Sequence, residues 1–180
     1  MQIMFPMVGT IDDVRAGNAA VEAVKAELRA EGIHFDEKIK VGIMIEIPSI
    51  AMIADLAAKE TDFASVGTND LTQYLHAVDR MNPKLITYYQ SSSPAMFRIL
   101  GKIFKEYNEA NKQVSVCGEL AGEPLAAIVL FGLGLRKFSM NAANIAHVKR
   151  TLSLFTLAET EEIAEKVMNL DTQAEVDAFL

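Results

Sequence analysis

The stretch DFASVGTNDLTQY, residues 62–74, begins as a continuously apolar run and ends in an amide, an acid and the polar start of a helical pattern. A β-rich run without polar alternation reads as a parallel strand buried on both faces. Four other runs share this character: QIMFPMV at 2–8, IKVGIMIEI at 39–47, QVSVCGE at 113–119 and KFSM at 137–140. Helical patterns fill the intervals. The clearest runs from Thr10 to about Glu31, where Val14, Val21, Val24 and Leu28 recur at helical spacing. Thr10 with Asp13 predicts a capping box at its start and Gly32 a natural stop. Further helices are predicted to begin near Pro48, Ser93-Pro94, Glu123-Pro124 and Asn144, with prolines where a first helical turn tolerates them.

Strand and helix therefore alternate with short connections, which points to a parallel α/β protein, either an open doubly wound sheet or a (β/α)8 barrel. Polar residues favour the barrel. Glu46, Asn69-Asp70, Cys117-Gly118-Glu119 and Ser139-Asn141 fall at or just after successive strand ends, where barrel enzymes assemble their active sites. An open sheet concentrates its ligands at one switch point, and no glycine-rich dinucleotide loop follows any strand here. About five strands are visible, against the eight strands and roughly 250 residues of a closed barrel.

With 180 residues, 51% of them hydrophobic, the chain is long enough for one sizeable core, and residues 1–180 read as a single domain. A net charge of −7 disfavours an extended nucleic-acid surface, while leaving room for one local basic pocket that holds a small anion. The single cysteine, Cys117, excludes an internal disulfide framework and fits a reducing cytoplasm. The N-terminal stretch MQIMFPMVGT lacks the pattern of a secretory signal. The longest apolar run, LAAIVLFGLGL at 125–135, is shorter than the ~20 residues a spanning helix needs, so no membrane insertion is expected. From about 157 to 180 acids and alanines follow a weak helical repeat, which reads as a surface helical appendage.

Glu46 closes an apolar strand just before Ile47-Pro48, and an acid in that position must find a partner. With Asp70 at the neighbouring strand end it forms a pair of carboxylates suited to Mg2+ or Mn2+, whose remaining ligands are water and substrate. Asp70 reads equally well as an N-cap for the helix LTQYLHAV. His34, His76 and His147 lack zinc spacing. Arg80, at the end of that short helix, carries a guanidinium that forks onto a carboxylate or phosphate, although alone it reads as a surface salt bridge. Asn69 offers an amide donor to the same anion. Cys117, by default inert packing, sits at a strand end among acids that favour its protonated form, poised to give a proton rather than to attack. The lone GxG in FGLGL is explained by a helix-to-strand turn.

These motifs, in order and spacing, resemble a known family. GIMIEIPS at 42–49, DFASVGTNDLTQY at 62–74, AVDR at 77–80 and CGELAGE at 117–123 are similar to the signatures of the C-terminal phosphoenolpyruvate-binding barrel of enzyme I of the bacterial sugar phosphotransferase system. QIMFPM and GLGLRKFSM extend the likeness over nearly the whole chain. Pyruvate phosphate dikinase and phosphoenolpyruvate synthase share the barrel and some motifs. The resemblance implies that Glu46 and Asp70 ligate Mg2+, that Asn69 and Arg80 hold phosphoenolpyruvate, and that Cys117 protonates C3 of the enolate after the phosphoryl group has passed to a histidine. It also implies a homodimer, a histidine-bearing domain and, through that domain, a phosphocarrier protein. The family's phosphate-gripping arginines and its phosphorylated histidine have no counterpart here, since none of the three histidines lies in the family's Thr-Ser-His context. Met81 stands where the family has glycine, and Asn141 where serine is common. The chain is thus expected to be the last five βα units of a barrel, with two exposed sheet edges that favour self-association. A non-catalytic interaction module derived from the barrel is the alternative expectation, with a dikinase fragment the nearer neighbour.

Overall fold

A computed structural model describes all 180 residues. Five strands, β1 (Gln2–Phe5), β2 (Lys40–Ile45), β3 (Phe63–Gly67), β4 (Gln113–Cys117) and β5 (Lys137–Phe138), form one sheet, all pairs parallel, in the order β1-β2-β3-β4-β5. Each falls within a predicted run. The unbroken sequential order separates the two α/β topologies, because a doubly wound sheet reverses its strand order at a switch point. Right-handed crossovers taken always in one direction instead lay the helices on one side of the sheet, as in a barrel wall.

Helix α1 (Ile11–Ala30) carries the predicted capping box: the Thr10 hydroxyl accepts from the Asp13 N–H, and the Asp13 carboxylate accepts from the Thr10 N–H. Its predicted stop is also present, Glu31 being the C-cap and Gly32 left-handed at φ +67°. Its apolar stripe is only partly covered. Val14 is buried, whereas Val24 is 52% exposed and, with Ile3, Phe5, Val21, Leu28 and Phe35, lines an apolar groove of about 370 Å3 beside the free edge of β1.

After β2 the chain makes two short helices, α2 (Pro48–Met52) and α3 (Ala54–Glu60), where the sequence led us to expect one. The break falls at Ile53, whose φ of −113° and ψ of 34° leave the helical region. Helix α4 (Thr68–Leu75) follows β3, a 3-10 turn spans Pro83–Tyr88, and α5 (Pro94–Glu109) follows it. The core is built on α5, which buries Met96, Phe97, Leu100, Ile103, Phe104 and Tyr107 completely. That spacing is one helical face, and each such side chain contributes about 1.5–3 kcal/mol.

Helix α6 (Pro124–Gly132) precedes β5, and α7 (Ala142–Leu152) follows it. The start of α7 lies before Asn144: Asn141 is its N-cap and accepts the Asn144 N–H at 3.1 Å. Helices α8 (Leu157–Met168) and α9 (Gln173–Phe179) correct the expectation of an appendage. Ala164, Val167 and Val176 belong to the main hydrophobic cluster. At Gly132 a side chain would strike the Thr160 carbonyl and stand 2.9 Å from the Ala164 methyl, so α6 and α8 meet nearly backbone to backbone. The weak helical repeat concealed this contact because small residues make it. No helix is long and apolar enough to cross a membrane.

Candidate functional site

Four of the five candidate residues lie at or just beyond the carboxyl ends of β2, β3 and β4, and the fifth, Arg80, returns to Asp70 from the turn after α4. Glu46 directly follows β2 and is 4% exposed. Its Oε1 accepts the Met7 N–H at 2.7 Å from the loop after β1, which supplies the partner its burial demands. Its Oε2 lies over Gly67, 2.7 Å from the position a Cβ there would take. The last residue of β3 is therefore glycine where the neighbouring carboxylate needs space.

Asp70 is neither a strand end nor an N-cap. β3 stops at Gly67, Gly67 itself caps α4 without a side-chain hydrogen bond, and Asp70 is the third residue of the helix. There its charge is favoured by the helix dipole. Its Oδ1 lies 3.4 Å from Arg80 Nη2, with the two side chains 33% and 35% exposed. Arg80 lies beyond the helix end. His76 is the C-cap, Ala77 turns left-handed at φ +51°, and the Arg80 N–H donates to Gln73 Oε1 at 3.0 Å. This reversal, more than the helix itself, brings the guanidinium back to Asp70. Met81, the glycine replacement, is 81% exposed with no left-handed backbone, so its turn does not need glycine's freedom.

Asn69 is held at two points. Its Oδ1 accepts the Glu119 N–H at 3.1 Å, and its main-chain carbonyl accepts the Tyr89 hydroxyl at 3.2 Å. The bond to Oδ1 orients the carboxamide, and its two N–H groups remain to donate to an anion. Cys117 is half-buried at the end of β4; its Sγ receives the Ser65 hydroxyl at 3.4 Å and donates to the Val66 carbonyl at 3.5 Å. Cys117, Asn69, Gly118, Glu119, Glu123 and Asn141 line a cavity of about 590 Å3.

Four participants carried no sequence signal strong enough to single them out: Ser65, Thr68, Tyr89 and Glu123. Tyr89 follows an exposed twin, Tyr88, and nothing in the pair tells them apart. Desolvation pushes the Tyr89 phenol up, with the Arg80 guanidinium pulling the other way. Glu123 has an exposed side chain, yet its carboxyl is also raised, chiefly by desolvation and then by the nearby Glu119 and Asp177 charges. His76 is structural, its ring nitrogens lying 2.9 Å from the Thr72 carbonyl and 3.0 Å from Ser93 Oγ.

Sequential parallel βα units with acids, an amide, a guanidinium and a thiol at their carboxyl ends define an α/β ligand-binding protein of the barrel class. Among solved structures, a citrate lyase from Burkholderia xenovorans LB400 superposes with a TM-score of 0.57 at 16% identity, over 99% of this chain and 61% of that one. That likeness concerns the fold alone, and it agrees with a partial barrel. Residues 1–156 match the model of the PEP-utilising enzyme family, PEP-binding domain, and the chain belongs to that family. Phosphoenolpyruvate-protein phosphotransferase of Priestia megaterium is 42% identical over 100% of this chain and 31% of its own length. The proteins of that name from Bacillus subtilis (strain 168) and Haemophilus influenzae (strain Rd) are 41% and 38% identical, again over 100% of this chain and 32% and 31% of theirs. The chain thus spans about a third of the length of the curated relatives it matches.

Proposed function

We propose that the chain is the phosphoenolpyruvate-binding part of a phosphoenolpyruvate-protein phosphotransferase, acting in the cytoplasm at the start of sugar uptake. The observation that carries this reading is that Asn69 and Cys117 line one cavity beyond the ends of β3 and β4, with Asp70, next to Asn69 in the chain, held against Arg80 and Glu46 lying over the end of β3 at Gly67, in a chain of the phosphoenolpyruvate-binding family. Glu46 and Asp70 fit a divalent cation of the Mg2+ type. Such an ion takes one or two protein carboxylates and completes its shell with water and phosphate oxygens; Glu46 keeps Oε2 beyond its bond to Met7, and Asp70 keeps Oδ2 beyond its contact with Arg80. When bound, Mg2+ neutralises charge on phosphate and enolate oxygens.

Asn69 donates its carboxamide N–H groups and Arg80 its guanidinium to the anion, and together they orient it above Cys117. As the phosphoryl group passes to a histidine nitrogen on a separate domain, the P–O bond breaks, an N–P bond forms, and the electron pair stays on the oxygen of the pyruvate enolate. The Cys117 thiol then gives its proton to C3, and its thiolate recovers a proton from solvent. The Ser65 hydroxyl, already directed at Sγ, stabilises that thiolate. The phosphorylated histidine then serves a phosphocarrier protein, and the domain assembles as a homodimer.

Calorimetry tests the reading. Phosphoenolpyruvate binding that requires Mg2+ and is abolished by Asp70→Ala supports it, whereas stable self-phosphorylation of this chain overturns it. The apolar groove along α1 and the free edge of β1 favour the alternative, a non-catalytic interaction module. That alternative requires wild type and Asp70→Ala to be equally unable to bind.

A further inference from the structure

Thr68 is 1% exposed and takes no part in the chemistry just described. Its hydroxyl crosses from the first turn of α4 to the end of β4 and donates to the Cys117 carbonyl at 3.0 Å. Next to it, in the opposite direction, the Glu119 N–H donates to Asn69 Oδ1 at 3.1 Å. Between these two bonds stands Gly118, left-handed at φ +106°, where a Cβ would strike Thr68 Oγ1 and lie 3.0 Å from Asn69 Oδ1. The start of α4 and the loop after β4 therefore close on each other with no space for a side chain. Two bonds made by consecutive residues, 68 and 69, grip residues 117 and 119.

We infer that this pair of hydrogen bonds is a clasp that holds the Cys117 thiol and the Asn69 carboxamide at a fixed separation, and that Thr68 is its positioning residue. Pinning the Cys117 carbonyl fixes the Cys117–Gly118 peptide plane, since a trans peptide turns as one unit. The backbone at Cys117, paired with Gly67 in the sheet, is then restrained on its Gly118 side as well, which favours Sγ against Ser65 and Val66. The same closure keeps the Glu119 N–H on Asn69 Oδ1, which decides that the carboxamide presents donors to the anion. Without Thr68 Oγ1 both consequences are lost together, although neither the proton donor nor the anion ligand has been changed. The binding half of this inference rests on the phosphoenolpyruvate reading; the thiol half does not.

Cys117 is the only cysteine of the chain, so alkylation reports its environment unambiguously. In Thr68→Val, which keeps shape and loses the hydroxyl, Cys117 is expected to react with iodoacetamide about fivefold faster, and Mg2+-dependent phosphoenolpyruvate binding to weaken about fivefold, the equivalent of one hydrogen bond. Thr68→Ser restores both. Thr160→Val, which removes another 1% exposed threonine hydroxyl from a bond to the Leu157 carbonyl, changes neither. Equal alkylation rates in Thr68→Val and Thr160→Val, or failure of serine to restore the slow rate, overturn the clasp. If the wild type binds no phosphoenolpyruvate, the functional reading fails while the alkylation series still supports or overturns the clasp.

Discussion

Gly67→Ala tests the site without altering any proposed ligand. Gly67 has φ −82° and ψ 84°, a backbone open to alanine, so glycine's conformational freedom is not what the position requires. The requirement is space. The added methyl would lie 2.7 Å from Glu46 Oε2, 3.0 Å from Glu46 Cβ and 3.4 Å from Met44 Sδ. Rotating the carboxylate relieves the first contact but not the second, so the whole Glu46 side chain must move, and with it the 2.7 Å bond to the Met7 N–H. Loss of a hydrogen bond to a buried charged group costs about 1.5–3 kcal/mol. Replacing glycine by alanine at a compatible backbone returns about 0.4–1 kcal/mol through the unfolded state. The net expectation is a loss of about 1–2 kcal/mol, read as a lower urea midpoint at unchanged slope and about 2–4 °C in Tm per kcal/mol. Mg2+-dependent phosphoenolpyruvate binding falls in the same variant. A Gly67→Ala protein as stable as the wild type, or more so, refutes the packing argument, and unimpaired Mg2+ dependence refutes the assignment of Glu46.

Gly132→Ala drives a methyl into the Thr160 carbonyl and the Ala164 methyl, where backbone cannot yield as a side-chain tip would; a loss of about 1–3 kcal/mol in chemical denaturation is expected, and a neutral result would return α8 to the status of an appendage. Burial pushes the Tyr107 phenol up to about 12, with the Thr61 hydroxyl opposing. Its folded value thus exceeds the unfolded one, so its contribution is fully present below pH ~10 and is lost as pH rises through about 12. Tyrosinate absorbance is expected to show a last, late step that coincides with alkaline unfolding and is absent in Tyr107→Phe. Asp70→Asn removes one partner of a pair that is one-third exposed on both sides; such pairs contribute about 0–1 kcal/mol, so the denaturation midpoint hardly moves while Mg2+-dependent binding disappears. A large stability loss in Asp70→Asn would show the pair to be structural.

All five strands were legible because short, β-rich apolar runs are bounded by polar or turn residues; the longer run at 125–135 is equally apolar but opens on Pro124 and folds as the buried helix α6, so length and flanking residues, not apolarity, separate the two. Polar residues at the strand ends were legible for the complementary reason that nothing in a core explains them. Boundaries were harder to read. Asp70 looked like a strand terminus because Thr68 and Asn69 give no helical signal; the first turn of α4 is fixed by tertiary bonds from Thr68 to β4 and from Asn69 to the loop after it. Arg80 looked helical because Ala77 gives no warning of a left-handed turn. Asn141, at the last strand end, does line the cavity beside Cys117, and its Oδ1 also caps α7, a second role that its position alone did not reveal. Tyr89 and Thr68 act through main-chain carbonyls, and carbonyls are the same at every position in a sequence.

The proposed site is assembled in two halves held to different degrees. Glu46 and Asn69 are fixed before any ligand arrives: the first buried and bonded to a main-chain N–H, the second tied through both its carboxamide and its carbonyl. Asp70 and Arg80 hold mainly each other, at a distance of 3.4 Å and with a third of each side chain in solvent. On the proposed reading, a cation at Asp70 and an anion at Arg80 would replace that pair with stronger partners on both sides, and the exchange would sacrifice little because a partly exposed pair is weakly stabilising. The fixed half supplies orientation, which is costly to create at the moment of binding. The exchangeable half keeps each charge compensated while the mouth is empty. Cation and anion should then bind cooperatively, since each one releases the residue that the other requires.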